Sequence, residues 1–232
     1  MAKKIFIATI FVILIFSAIP NAYSTEKQYI GILPYYAPDK IWHFYKPFIN
    51  HLNKTTDISW ELKLYHNYDA IIDGICSGEI SIAYLGPNPF GLAYEKCRVK
   101  PLLVILGDDE KPFYRSIIFT GNRSINAVAS NEVAAGATKV SVFEKFKGLK
   151  FKKLKTSEPL PHHSFCAAPG TNPDIERKFI NALSKLKPLH NKRDKDMVKD
   201  WDPELRYGFV LPPKNYVQGI LKLHTLFKKY ND

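Results

Sequence analysis

Cysteine is scarce in this chain, with three residues in 232 (Cys76, Cys97 and Cys166). No Cys-x-x-Cys pair and no zinc-type spacing links them, which excludes a structural zinc module and a dithiol redox motif. In an oxidising compartment an odd count leaves at least one thiol unpaired. A Cys76–Cys97 disulfide is open from the sequence and not fixed by it. Cys166, within Ser164-Phe165-Cys166-Ala167-Ala168, reads as a small buried hydrophobe. Acidic residues are also few, 22 against 33 Lys and Arg, for a formal charge of +11. The excess is heaviest in segments 145–155 and 185–199. It attracts anionic solutes or surfaces, or simply solvates the face that carries it. No nucleic-acid motif accompanies it, and none is expected as a partner. Beyond the N-terminus no apolar run is long enough to span a bilayer, and there is no internal repeat or low-complexity linker.

The N-terminus has the form of a secretory signal. Lys3 and Lys4 precede an almost wholly apolar stretch at 5–19, and Ala22-Tyr23-Ser24 fits a small-x-small cleavage site before Thr25. The apolar run is about fifteen residues, short of the roughly twenty a transmembrane helix needs; the competing reading is an uncleaved anchor. No cysteine at the cleavage point supports a lipoprotein. The expectation is therefore a signal peptide at 1–24 and a periplasmic mature chain. Its hydrophobic fraction of 46% and aromatic fraction of 13% favour a packed globule.

The next hundred residues alternate strand and helix patterns. Residues 29–33 form an apolar strand stopped by Pro34. Pro38-Asp39 suits a short helical turn, and Pro47 suits the first turn of a separate helix through Phe48, Ile49 and Leu52. Trp60, Leu62 and Leu64 alternate with polar residues, as a half-wet strand does. Asn67 or Asp69 caps a helix with Ile71, Ile72 and Ile75 that Gly78 ends. Strands follow at 80–85, at 102–106 and, after a turn, at 114–120 pairing back, with a helix at 87–94. This alternation predicts an α/β layer with parallel pairing. Later, 125–133 reads as a helix and 134–142 as a strand. Segment 156–168 reads as extended, 201–216 as irregular and aromatic, and helices follow Asn172 or Asp174 and fill 217–227.

The chemistry worth having at such a sheet edge is oxyanion binding. Hydroxyls and helix-start N–H groups satisfy tetrahedral oxygens without a metal. Tyr35 and Tyr36 lie in the loop after the first strand, Tyr84 ends the third, Gly86 allows close backbone approach and Asn88 heads the next helix. With 13 tyrosines in the chain, packing competes with binding at each. His162-His163 is a poor metal pair, because neighbours on a strand point to opposite faces. Cys166 lacks an oxyanion-hole signature, and no clustered acid–base set supports an enzyme. No metal and no cofactor is expected.

Three phrases, Ile30-Gly31-Ile32-Leu33-Pro34-Tyr35, Ser77-Gly78-Glu79-Ile80-Ser81-Ile82-Ala83-Tyr84-Leu85-Gly86-Pro87 and Pro112-Phe113-Tyr114-Arg115-Ser116, carry a resemblance, with weaker pieces at 127–133 and 155–161. The chain resembles the substrate-binding proteins of phosphate/phosphite/phosphonate-type ABC transporters, which are type 2 periplasmic binding proteins. The resemblance implies two α/β lobes joined by two crossing strands, with the ligand clamped between them and handed to an ABC permease in the inner membrane. It puts lobe one at 25–113 and 157–232, and lobe two with its crossing strand at 114–156. It implies ligand contacts at Tyr36 and Tyr84, with Tyr114 third, alongside Gly86 and Asn88. The departure is in lobe two. The family's Ser/Thr-Ser-Gly loop has no counterpart, since Asn122-Arg123-Ser124 runs almost directly into 127–133. The family's acidic positions fall on Ala134 and Lys139. Each hydrogen bond to a charged ligand contributes roughly 1.5–3 kcal/mol, so losing several donors costs orders of magnitude in affinity. Lys139 and Arg115 recover little if exposed, about 0–1 kcal/mol. The expectation is a weak oxyanion binder, or else an incomplete, non-transporting relative acting as a sensor or interaction scaffold.

Overall fold

The computed structural model describes residues 27–121, 135–146 and 151–231. The expected signal peptide at 1–24 and the expected helix at 125–133 lie outside them. The larger layer is a six-stranded sheet in the order β11-β4-β10-β3-β1-β2. Its strands are β1 (Gln28–Ile32), β2 (Trp60–Leu64), β3 (Ile82–Leu85), β4 (Lys100–Ile105), β10 (Ser164–Ala167) and β11 (Phe209–Val210). Six helices pack around it: α1 (Pro38–Thr56), α2 (Tyr68–Cys76), α3 (Pro87–Cys97), α5 (Pro173–Ser184), α6 (Lys192–Val198) and α7 (Tyr216–Asn231).

The strand sequences explain the layering. Alternate residues of β3 go to opposite sides: Ile82 and Tyr84 join one core with α1 and α5, while Ala83 and Leu85 join the other with α2, α3 and α7. In β10, Phe165 and Cys166 divide the same way. A strand covered on both faces is apolar throughout, which is why these segments read as continuous hydrophobic runs. Cys166 is buried and unpaired, whereas Cys76 and Cys97 form a disulfide joining the ends of α2 and α3. Asn67 and Asn172 cap α2 and α5 with side-chain oxygens.

Three expectations are corrected. Pro47 does not begin a helix; it lies inside the nineteen-residue α1. An interior proline removes a backbone donor and normally costs about 3 kcal/mol. Here Ile41, Tyr45, Phe48, Ile49 and Leu52 form one buried stripe across it, and burial on both sides outweighs the break. The sheet is also mixed. β1 runs parallel to β2 and β3, but β10 lies antiparallel between β3 and β4, and β11 is antiparallel to β4. Finally, the strand expected at 114–120 does not pair back onto β4. It divides into β5 (Phe113–Tyr114) and β6 (Ser116–Gly121). Arg115 marks the break, with its carbonyl accepting from Val140 N–H at 2.8 Å and its guanidinium donating to the Ser157 carbonyl at 2.8 Å.

β5 pairs with β9 (Leu160–Pro161) as a short antiparallel ribbon. Beyond it, β6 is the centre of a three-stranded antiparallel sheet, flanked by β7 (Gly136–Lys139) and β8 (Phe151–Thr156). The helical turn α4 (Val140–Phe143) follows β7 without a side-chain cap. This layer's core among the described residues is Ile117, Phe119 and Phe143, with Val140 and Phe151 packed against it.

Candidate functional site

A cavity of about 660 Å³ opens where the two layers meet. Its walls come from the end of β4 and the turn after it, the β5–β9 ribbon, the β7–α4 corner and the turn at 203–207. Four basic side chains (Lys111, Arg115, Lys139 and Lys145) and four acidic ones (Asp108, Asp109, Glu144 and Glu204) lie on it, with Tyr114, Ser141 and His162. Two of the basic groups are already held by acids on the same walls: Lys111 pairs with Asp109 at 3.1 Å, and Lys139 with Glu204.

Glu204 is the centre of the site. Asp202 caps the one-turn 3₁₀ segment Pro203–Leu205, its Oδ1 accepting from the Glu204 N–H at 2.8 Å, and Pro203 suits the first position of that turn. The Tyr35 hydroxyl donates to Asp202 Oδ2 at 3.2 Å and lies 2.6 Å from the Tyr45 hydroxyl. So anchored, the turn points the Glu204 carboxylate at three groups. Tyr84 donates its hydroxyl to Oε2 at 3.3 Å. His163 Nδ1 stands 3.5 Å from Oε2, within ion-pair reach but without hydrogen-bond geometry. Lys139 donates from the small sheet to Oε1. The Lys139 ammonium also lies 5.0 Å from the centre of the Tyr114 ring, whose other neighbour is His162 at 5.1 Å.

Burial and these partners set the protonation states. Burial, reinforced by Glu204, lifts the Tyr84 phenol well above its ordinary value and keeps it a donor. Burial opposes ionisation of Glu204, yet His163 and Lys139 outweigh it and hold the carboxyl below the usual range. Asp202 is raised, chiefly by burial. His162 is pushed down to about 4 by burial and by Lys139, and burial also lowers His163. His162 is therefore neutral near pH 7.

The residues singled out in the sequence are divided by the structure. Tyr114 lines the cavity. Tyr84 is fully buried among Tyr45, His163 and Phe165, and reaches the wall through Glu204. Tyr36 is half-buried beside Phe44, with the Lys40 ammonium 4.3 Å from its ring centre. Gly86 faces inward: a Cβ there would meet His163 Nε2 at 2.8 Å. Asn88, the second residue of α3, places Oδ1 3.1 Å from His224 Nδ1 on α7. The two adjacent histidines diverge, His162 Nε2 toward Gly107 and His163 Nε2 toward Gly86, and among the described residues no group of His, Cys, Asp and Glu is arranged to hold a metal ion. Glu204 itself was missed by sequence reasoning. Its signal was Asp202-Pro203-Glu204, a capping residue, a proline and an acid in helix-start order.

Comparison with known proteins adds the following. The family profile described as ABC transporter, phosphonate, periplasmic substrate-binding protein matches residues 30–126 and 121–210. The two matched stretches overlap at residues 121–126. Among solved structures, the chain is similar to a binding-protein component of an ABC phosphonate transporter from Pseudomonas aeruginosa (TM-score 0.67, 13% identity, covering 88% of this chain and 86% of that one). It is similar to PhnD1 from Prochlorococcus marinus, solved with methylphosphonate (TM-score 0.63, 12% identity, 89% and 99% covered). It is also similar to a Xanthomonas citri protein solved with ATP (TM-score 0.68, 11% identity, 89% and 98% covered). At these identities the likeness shows the fold, the mixed α/β architecture of type 2 periplasmic binding proteins. No curated protein matches the chain.

Proposed function

Because the chain belongs to the phosphonate-type periplasmic substrate-binding family of ABC transporters, we propose that it is an exported solute-binding protein that holds a phosphorus oxyanion weakly in the cleft between its layers and presents it to an inner-membrane permease. The family is a solute-binding component of transporters and not an enzyme family. The observation that carries the reading is the cavity of about 660 Å³ at the layer junction, with Tyr114, Lys139 and Arg115 on its walls. Lobe one is then 25–113 with 157–232, and 114–156 is the remnant of lobe two. Tyr114 and Lys139 are the groups placed to meet a ligand oxygen, and Ser141 adds a hydroxyl from the small layer. Tyr84 acts one step behind, through Glu204. Tyr36, Gly86 and Asn88 enter this reading only if the cleft rearranges. Residues 1–24 serve as the export signal, and N-terminal sequencing of secreted protein should begin at Thr25.

Weak binding follows from how the charges are spent. Two wall cations are already paired with carboxylates, so an incoming anion competes with resident acids. A second reading, a non-transporting relative acting as a sensor or interaction scaffold, is favoured by the thin core of the small layer, three buried residues among those described. Thermal shifts of the mature chain with phosphate, phosphite and methylphosphonate separate the two. At a hundredfold excess over its dissociation constant a binder gains about 2.7 kcal/mol of stability, read as an upward shift in melting temperature. No shift with any of the three anions at millimolar levels would favour the scaffold.

A further inference from the structure

We propose that Glu204 is an intramolecular ligand: its carboxylate occupies the Tyr84 hydroxyl and the Lys139 ammonium, beside His163, that an oxyanion would engage, and so decides what the cleft accepts. This rests on the oxyanion reading above and deepens it.

The geometry is that of a bound anion. Both carboxylate oxygens are engaged, Oε1 by the Lys139 ammonium and Oε2 by the Tyr84 hydroxyl at 3.3 Å, with His163 Nδ1 at 3.5 Å. A phenol from β3 and an ammonium from β7 converge on one small anionic group, with an imidazole beside them, which is how a protein without a metal recognises phosphate or phosphonate oxygens. The difference is that the anion is covalently part of the chain. Its effective concentration is fixed by the turn that carries it. That turn is held from behind by its Asp202 cap and by the Tyr35 hydroxyl on Asp202, so the carboxylate is aimed before any ligand arrives. The contact also spans the cleft, because Tyr84 belongs to β3 of the large layer and Lys139 to β7 of the small one. Glu204 therefore does locally what a solute does when it draws two lobes together.

Two consequences follow. In the wild-type chain an external oxyanion must displace Glu204, or bind beside it against like charge. Without the Glu204 charge, the walls change from balanced to a net excess of one cation, and the Tyr84 and Lys139 donors are freed. Position 204 is thus a specificity-determining site: an acid selects against small anions, and a neutral side chain admits them.

The test compares wild type with Glu204→Ala and Glu204→Gln by calorimetric titration and thermal shift, using phosphate, methylphosphonate and acetate. Acetate returns the functional group that the alanine variant lacks. The expected result is at least about tenfold tighter phosphate or methylphosphonate binding in both variants. Acetate should raise the melting temperature of Glu204→Ala but not of wild type. Adding Lys139→Ala to either variant should abolish the gain. Should Glu204→Ala fail to fold by circular dichroism, the near-isosteric Gln variant carries the comparison. Wild type binding an anion as tightly as the folded variants would overturn this inference and leave the oxyanion reading intact. Silence from all proteins with all anions would overturn both.

Discussion

The two layers of this molecule are stabilised on different scales. The large sheet is buried on both faces, by one core built on Phe48, Phe165 and Trp201 and another built on Ile71, Phe90 and Ile220. The small sheet rests on Ile117, Phe119 and Phe143 among the described residues. Aromatic packing illustrates the gap: Phe165 alone contacts Phe48, Tyr84, Phe179 and Phe209. A core of three side chains does not by itself offset the chain entropy of three strands, and among the described residues the small layer is also tied to its neighbour. The ties are visible in the β5–β9 ribbon and in the Lys139–Glu204 pair. The lesson is that the site and the stability of the small layer are one problem, because the groups that would meet a ligand also hold that layer in place.

The sharpest way to break this comparison is to cut each core equivalently. Phe48→Ala should cost about 3–5 kcal/mol and lower the melting temperature of the whole chain. Phe119→Ala should instead release the small layer locally, seen as lost hydrogen-exchange protection in β6 with a much smaller change in the main transition. Equal losses of melting temperature would show that the layers unfold as one unit. The disulfide comes next. Cys76–Cys97 closes a loop of 21 residues in sequence separation within the large layer, and replacing both cysteines by serine should cost about 3 kcal/mol in the chain-entropy account. Denaturant melts should shift while β6 protection stays as it was.

A third effect acts at the junction. The folded state holds the His162 pKa at about 4, while the unfolded chain titrates near 6.5. Between those values the unfolded state binds more protons, so stability is fullest above about pH 6.5 and declines as pH falls toward 4. His162→Gln should flatten that slope relative to wild type, and an unchanged slope would remove His162 as its source. The smallest effect is a cap. Asn67→Ala should cost about 1 kcal/mol, because Asn67 Oδ1 accepts the Ala70 N–H at 2.8 Å. The turn α4 in the small layer has no such cap to lose.

Much of the large layer was legible because its signals are local. Asn67 and Asn172 announce helix starts, and the apolar runs around Ile30 and Ala83 announce covered strands. What could not be read depended on distant partners. Pro47 reads as a helix start until the buried stripe on both sides of it is known. β10 reads as an extended segment, and nothing within it reveals that it enters antiparallel between β3 and β4. Tyr84 and Tyr114 stood out in the sequence, but the carboxylate between them and the small layer did not. Glu204 meets Tyr84 across 120 residues and Lys139 across 65, and no spacing rule reaches so far. Its local environment, Asp202-Pro203-Glu204, revealed a turn and not a ligand.

The mixed sheet has a consequence for synthesis. Both neighbours of β4, namely β10 and β11, lie far toward the C-terminus. A growing chain that has emerged only as far as residue 160 therefore carries β4 with neither edge paired, and β3 with one edge open. Such a chain has no way to finish its central layer and stays loose until its last third arrives. That leaves prematurely ended fragments with bare apolar edges prone to self-association.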